Sequence, residues 1–208
     1  MKFEKYTKKL KKKDLESLID IIKQENNESI LASLSKSNIS KFINQVIISS
    51  ELNLFVIKKN KIIGYAIVAK KPHFLISNFE NLKYYFLIDL VTNLKFITLF
   101  NIFLTQVNID DLFINKKNKI LISKSHNLNL LAIEKNHQSK GIGKRFLNYI
   151  MKKIKKDAQM ITCETNNLRS NLFYKNKLNF RNIGIRIRLP NIMKIMIKKL
   201  LFIFSYQF

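Results

Sequence analysis

Gln138-Ser139-Lys140-Gly141-Ile142-Gly143-Lys144 stands between the apolar run Leu128 to Ile133 and a helical pattern from about Ile142 to Lys156. In that pattern Phe146, Leu147, Ile150, Met151 and Ile154 share one face. A strand that ends in a tight glycine turn and enters a helix exposes unpaired backbone N–H groups at the positive end of the helix dipole. That geometry binds phosphate. Gly141 and Gly143 have no Cβ, so a pyrophosphate can approach the backbone, and Lys140 and Lys144 add positive charge beside it. Only four glycines occur in the chain and two fall here, which argues against an ordinary helix-start turn. The mononucleotide pattern Gly-x-x-x-x-Gly-Lys-Ser/Thr is missing, and the dinucleotide fingerprint needs a third glycine.

Moving outward, Met160 to Glu164 reads as a short strand and Asn167 to about Lys177 as a helix, followed by strands over Phe180 to Arg188 and Ile192 to Lys199. On the N-terminal side, Phe3 to Lys8 suits a short edge strand. Asp14 is placed to cap a helix that runs on through Leu15, Leu18, Ile19 and Ile22. Ser37-Asn38-Ile39-Ser40 opens a second helix through Phe42, Ile43, Val46 and Ile47. Leu52 to Lys58 and Ile62 to Ala69, split by Lys59-Asn60-Lys61, form a hairpin pattern. Residues 70–126 are the least regular part, with two helices suggested around Tyr84 to Val91 and Phe96 to Val107.

The loop and the C-terminal segment beyond it resemble the GNAT superfamily of acyl-CoA-dependent N-acetyltransferases. Gln138, Gly141 and Gly143 fill that family's cofactor motif, Gln/Arg-x-x-Gly-x-Gly/Ala, and Asn167 to Tyr174 is similar to its Asn-x-x-Ala-x-x-x-Tyr helix. Phe180 sits where the family's Gly-Phe strand start belongs. The resemblance is clearest over residues 128–200, and the helix-helix-hairpin order before residue 70 agrees with the family's N-terminal half. Ser170 replaces the usual alanine and Asn179 the usual glycine, both mild changes, whereas the start of the fourth strand carries His126-Asn127 in place of a glutamate base.

The resemblance implies an α/β (α+β) fold in one domain over residues 1–208, a mixed central sheet flanked by helices, with a helical insertion at about 70–126 on the acceptor side. It implies acetyl-CoA as acyl donor, held by Ala132, Ile133, Gln138, Ser139, Lys140, Gly141, Ile142, Gly143, Lys144, Asn167 and Tyr174. Transfer to an amine needs a neutral nucleophile, a polarised carbonyl and a proton for the departing thiolate. Tyr174 is the expected proton donor, and a backbone N–H near Ile133 the expected partner of the carbonyl oxygen. His126 and Glu164 are the candidates for the base. The expected acceptor is a primary amine on a small molecule such as an amino sugar. A protein N-terminus or lysine is the alternative, and a non-catalytic acyl-CoA-binding or basic surface-binding module is the alternative of another class.

Composition bounds these readings. The formal net charge is +24, from 38 basic and 14 acidic residues. Only five of the basic residues are arginine, the side chain suited to forked recognition of phosphates and bases, so a nucleic-acid partner is disfavoured. The single Cys163 cannot pair within the chain, no Cys/His spacing suits a metal, and a lysine-crowded start without an apolar segment does not suit a secretory signal. These features together lead to a cytoplasmic expectation. Phe96 to Ile109 carries no charge but is too short to span a bilayer, and is expected to be a buried or interfacial helix. Leu200 to Phe204 with the many lysines allows a peripheral membrane contact, ranked below burial of that run in the core.

Overall fold

Leu52–Lys58 (β2) and Ile62–Ala69 (β3) are apolar on both faces, so they must lie in the middle of a sheet covered on both sides. In the computed structural model, which describes residues 1–25, 29, 31–71, 80–92, 95–106 and 113–200, they do. Lys2–Tyr6 (β1) pairs with the outer edge of β2, and Lys59 N–H bonds Lys61 O in the β2–β3 turn. His126–Ile133 (β4) lies next to β3 in the sheet, then Met160–Thr165 (β5), Asn191–Lys199 (β7) and Arg181–Arg188 (β6), giving the order β1-β2-β3-β4-β5-β7-β6. Every pairing is antiparallel except β4 with β5, which needs a crossover helix. Ile142–Ile154 (α6) supplies it.

Helices cover both faces of this mixed sheet. On one face α6 buries Phe146, Leu147 and Ile150 completely against Phe55, Ala66, Val68, Leu128, Ile161 and Cys163. On the other, Lys12–Glu25 (α1), Lys36–Ile48 (α2) and Glu80–Thr92 (α3) close over Leu54, Val56, Tyr65 and Ile67. Further along that second face Lys116–Ser123 (α5) packs Ile122 with Ile114 on Ile195 of β7. Phe96–Gln106 (α4) lies beside α3, and Asn101 ties it to the β6–β7 turn through Leu189 N and O.

Several local expectations need correction. Asp14 does not cap α1, which begins two residues earlier; its buried carboxylate accepts from Tyr6 Oη at 3.3 Å and from Lys58 Nζ, clamping the helix to β1 and β2. The cap of α2 is Ser35, whose side chain accepts from Asn38 N. The helix expected from Asn167 to Lys177 is a short α-helix, Leu168–Leu172 (α7), that widens into a π-turn at Phe173–Lys177. The helix α5 carried too few apolar residues to signal itself. Of the apolar stretches, Val107 to Ile109 and residues 201–204 lie outside the described residues, while Leu200 is buried.

The centre of the α6 face is Phe146, fully buried with its ring 5.4 Å from Phe3 and packed over the sheet. Phe146→Ala should lower unfolding free energy by about 3–5 kcal/mol. Urea denaturation checks this against Phe113→Ala, which removes an exposed ring and should change the midpoint little.

Candidate active site

The parallel pairing of β4 and β5 lasts for three residues, His126 to Leu128 against Ile161 to Cys163. Beyond it β4 stays on β3 as far as Ile133, and β5 stays on β7 as far as Thr165, so a seam opens between the two strands. The parting coincides with a bulge. Val68 pairs with Leu128 and Ile67 with Leu130, leaving Asn129 as the extra residue of β4. Glu134 N–H bonds Ile63 O on the β3 side, so by strand alternation the backbone groups of Leu131 and Ile133 face the seam.

The glycine loop closes one end of this seam. Gly141 caps α6 at φ 70°, a left-handed conformation, and Ser139 at φ 59° is another left-handed residue two positions earlier. No side chain caps α6, and its first backbone bond is Arg145 N to Gly141 O, so the N–H groups of the first turn point outward. A Cβ built on Gly141 meets nothing within 4 Å, so glycine is required there by backbone conformation and by what approaches from outside. At Gly143 a Cβ would touch Phe173 at 3.4 Å and Ile133 at 3.5 Å. The end of β4, the first turn of α6 and the start of the π-turn thus converge on one point.

Side chains fix the loop from two directions. Gln138 Nε2 donates to Ile133 O at 2.7 Å and to Glu25 Oε2 at 2.9 Å, while Glu25 Oε1 accepts from Lys135 N at 3.0 Å. Arg169 Nη2 donates to Ser139 Oγ at 2.7 Å, bringing a guanidinium to the loop, and Lys140 Nζ bonds Asn136 O at 2.9 Å. Asn167 spends its side-chain oxygen on Arg169 N and Ser170 N as the cap of α7. Glu25 carried no sequence signal, lying more than a hundred residues from its partners. Arg169 occupies a variable position of the motif and stood out only as one of few arginines.

Tyr174, in the π-turn, is buried with its ring between Phe173 and Phe180 at 5.4 and 5.3 Å, and its carbonyl accepts from Phe180 N. Burial, with Cys163 nearby, pushes its phenol well above the ordinary tyrosine range, so the group keeps its proton. Asn179 takes the left-handed conformation at φ 56° that a glycine would otherwise supply, just before Phe180 enters the core.

The two expected bases are placed otherwise. His126 shares with Leu128 the face covered by α6, at a level where β4 and β5 are still paired, and it is buried. Burial lowers its pKa, opposed by Asp157, so the imidazole is neutral but turned from the open seam. Glu164 lies on the opposite face, level with Ile195, and is ion-paired with Arg186 Nη1 and with Arg188 Nε at 3.1 Å. Burial raises its pKa, but Arg188 and Arg186 outweigh that and hold the carboxyl below its usual range. Glu134, another acid near a strand end, is engaged by Lys61 at 2.7 Å.

On the Glu164 face the structure reveals a polar chain that the apolar strand pattern concealed. Ser125 Oγ and Thr162 Oγ1 are 3.0 Å apart, Thr162 Oγ1 is 3.4 Å from Asn127 Oδ1, and Asn127 Nδ2 donates to Asn129 Oδ1 at 2.7 Å. The chain ends at Asn129 Nδ2, buried and without a hydrogen-bond partner at the opening of the seam. Two asparagines in an otherwise apolar strand were its only sequence signal. Among the described residues no group of three His, Cys, Asp or Glu side chains could hold a metal.

Similarity to known proteins centres on the same elements. Residues 114–180, from before β4 to the start of β6, match the model of the Acetyltransferase (GNAT) family. No curated protein is similar in sequence. Among solved structures, an aminoglycoside 6′-acetyltransferase type Ii is 13% identical with a TM-score of 0.59, covering 97% of this chain and 98% of its own. The ribosomal-protein-S18-alanine N-acetyltransferase of Escherichia coli is 12% identical with a TM-score of 0.56, covering 100% and 99%. A mosquito arylalkylamine N-acetyltransferase like 5b is 14% identical with a TM-score of 0.55, covering 95% and 100%. Over the seam and loop the sequence is thus similar to the GNAT family of acetyltransferases, and the chain shares the fold of these structures from end to end.

Proposed function

We propose that residues 1–208 form one cytoplasmic catalytic domain that acetylates the primary amine of a small polar molecule, an amino sugar being the type. The observation that carries this reading is the opening of the β4–β5 ladder after Leu128 and Cys163, with the glycine loop at one side and Tyr174 close by. Acetyl-CoA supplies the acyl group as a thioester. The fit to it rests on uncapped N–H groups at Ile142, Gly143 and Lys144, open space over Gly141, and positive charge from Lys140, Lys144 and Arg169, which together suit a pyrophosphate. Ala132 and Ile133 lie on the strand beside the seam, where unpaired backbone of Leu131 and Ile133 can bond an extended amide-bearing arm and the carbonyl oxygen. Ser139 and Gln138 set the loop's shape, and Asn167 orients α7.

Tyr174 holds a proton that burial keeps in place, as a donor to a departing thiolate must. Neither His126 nor Glu164 is assigned as base, the first because of its face and the second because two arginines hold its charge. The amine therefore gives up its proton to water. On the acceptor face, the neutral side-chain amides of Asn127 and Asn129 suit an acceptor with hydroxyl groups.

Tyr174→Phe should reduce kcat by about 10²–10⁴-fold while calorimetric CoA affinity stays within about twofold. In the unmutated enzyme, transfer should rise with pH as the amine deprotonates and show no descending limb below about pH 10, because the phenol is raised above that value. Acetyl transfer to a panel of amino sugars, other amines and peptides, followed by thiol release, tests the function itself; no transfer to any of them, with CoA bound, would leave the binding-module reading. Asn129→Leu should raise KM for the acceptor about three- to tenfold, the worth of one neutral hydrogen bond, without changing CoA affinity.

A further inference from the structure

Helices α3 and α4 are apolar on the side that faces away from the protein as well as on the side that packs. The inner positions of α3, Leu82, Phe86 and Leu90, are buried, with Phe86 against Phe42 at 6.2 Å. Its outer positions Tyr84, Leu87, Ile88 and Val91 are 74%, 44%, 49% and 54% exposed. On α4, Phe96, Ile97, Phe100 and Phe103 are 63%, 58%, 48% and 54% exposed. A helix apolar all round is stable only when covered on all sides, and a contiguous apolar patch of this kind marks an interaction surface. An apolar groove lined by Phe96, Ile97, Phe100, Leu189 and Pro190 continues the patch onto the β6–β7 turn.

Both helices are firmly seated, so the patch is a built surface. Asp89 accepts from Ser35 N and Asn38 Nδ2, each at 2.7 Å, fixing α3 to the start of α2, and Asn101 fixes α4 to Leu189. Charge says what the surface meets. Asp89 is the only acidic side chain described on α3, α4 or α5, and it is turned inward. Exposed Lys95 stands just before α4, Lys41 lies with its Nζ 4.0 Å from the Tyr85 ring centroid, and α5, the next helix, carries exposed Lys116, Lys117 and Lys119. A second copy of the chain would bring another net charge of +24 against this one, which opposes self-association. Exposed Phe and Tyr rings bordered by lysines, with no acidic side chain exposed among the described residues of α3 and α4, match an interface of acyl chains under anionic headgroups. No helix of the described residues is long and apolar enough to cross a membrane, so the contact is peripheral.

We propose that the outer face of α3 and α4, with the Leu189–Pro190 turn, docks this enzyme on an anionic membrane surface, beside the sheet face that receives the acceptor. The proposal stands apart from the acetyl-transfer reading, and its test reads binding alone. The full chain should co-sediment with vesicles of phosphatidylcholine and phosphatidylglycerol at low salt, bind phosphatidylcholine alone at least about tenfold more weakly, and lose affinity as salt rises. Phe96→Ser with Phe100→Ser, both at exposed positions, should weaken binding to anionic vesicles about tenfold or more with an unchanged circular dichroism spectrum. The chain has no tryptophan, so Phe100→Trp supplies a single reporter whose emission should shift to the blue on anionic vesicles and be quenched by brominated acyl chains. Absence of binding at low salt, equal binding to neutral vesicles, an unquenched reporter, or a dimer in light scattering that the double substitution dissolves would each overturn the proposal.

Discussion

The parting of β4 from β5 after three paired residues is the constraint on which the rest of the site depends. A parallel pair that zipped to its end would satisfy its own backbone and leave nothing for a ligand to bond. Here the bulge at Asn129 bends β4 while β3 keeps hold of it, and β7 carries β5 away on the other side. Of the freed backbone groups, the carbonyl of Ile133 is already taken by Gln138. The same opening sets the glycine loop at its mouth, since α6 must begin where β4 ends in order to return the chain to β5.

The two faces of the sheet divide the chemistry. The α6 face contains the loop, Tyr174 and a fully apolar packing around Phe146, which excludes water and keeps the phenol protonated. The other face gathers the polar groups: the Asn127–Asn129 pair and the Glu164–Arg186–Arg188 cluster. The insertion between β3 and β4 belongs to this second face. Its helices α3 and α4 roof it from α2 to the β6–β7 turn.

Elements with strong periodicity were legible in the sequence because each pattern had one dominant physical cause. The β2–β3 hairpin came from two apolar runs around a polar turn, and α6 from five apolar residues on one stripe. The loop was legible because glycine is rare in this chain. What escaped were features made by distant partners. Glu25 meets Gln138 only when α1 crosses the end of β4, and Asp14 is drawn from a capping role by Lys58 and Tyr6. His126 looked available because a strand residue next to the seam can face either way, and only the register with Ile161 fixes which. Glu164 looked free because nothing in its neighbourhood of sequence announces Arg186 and Arg188, which reach it across β7. The bulge at Asn129 is likewise a matter of register with β3, which no local pattern records.

A single ligand that bridges the loop at Gln138 to Lys144 and the open edge of β4 would engage the backbone of both. Backbone amide resonances tracked during titration with acetyl-CoA address it directly, since both elements act through main-chain N–H groups. Large shifts and slowed hydrogen exchange are expected at Gly141 to Lys144 together with Leu131 and Ile133, in a single saturating transition. Perturbation limited to lysine side chains elsewhere, or saturation that leaves the amides of Leu131 and Ile133 unmoved, would contradict it.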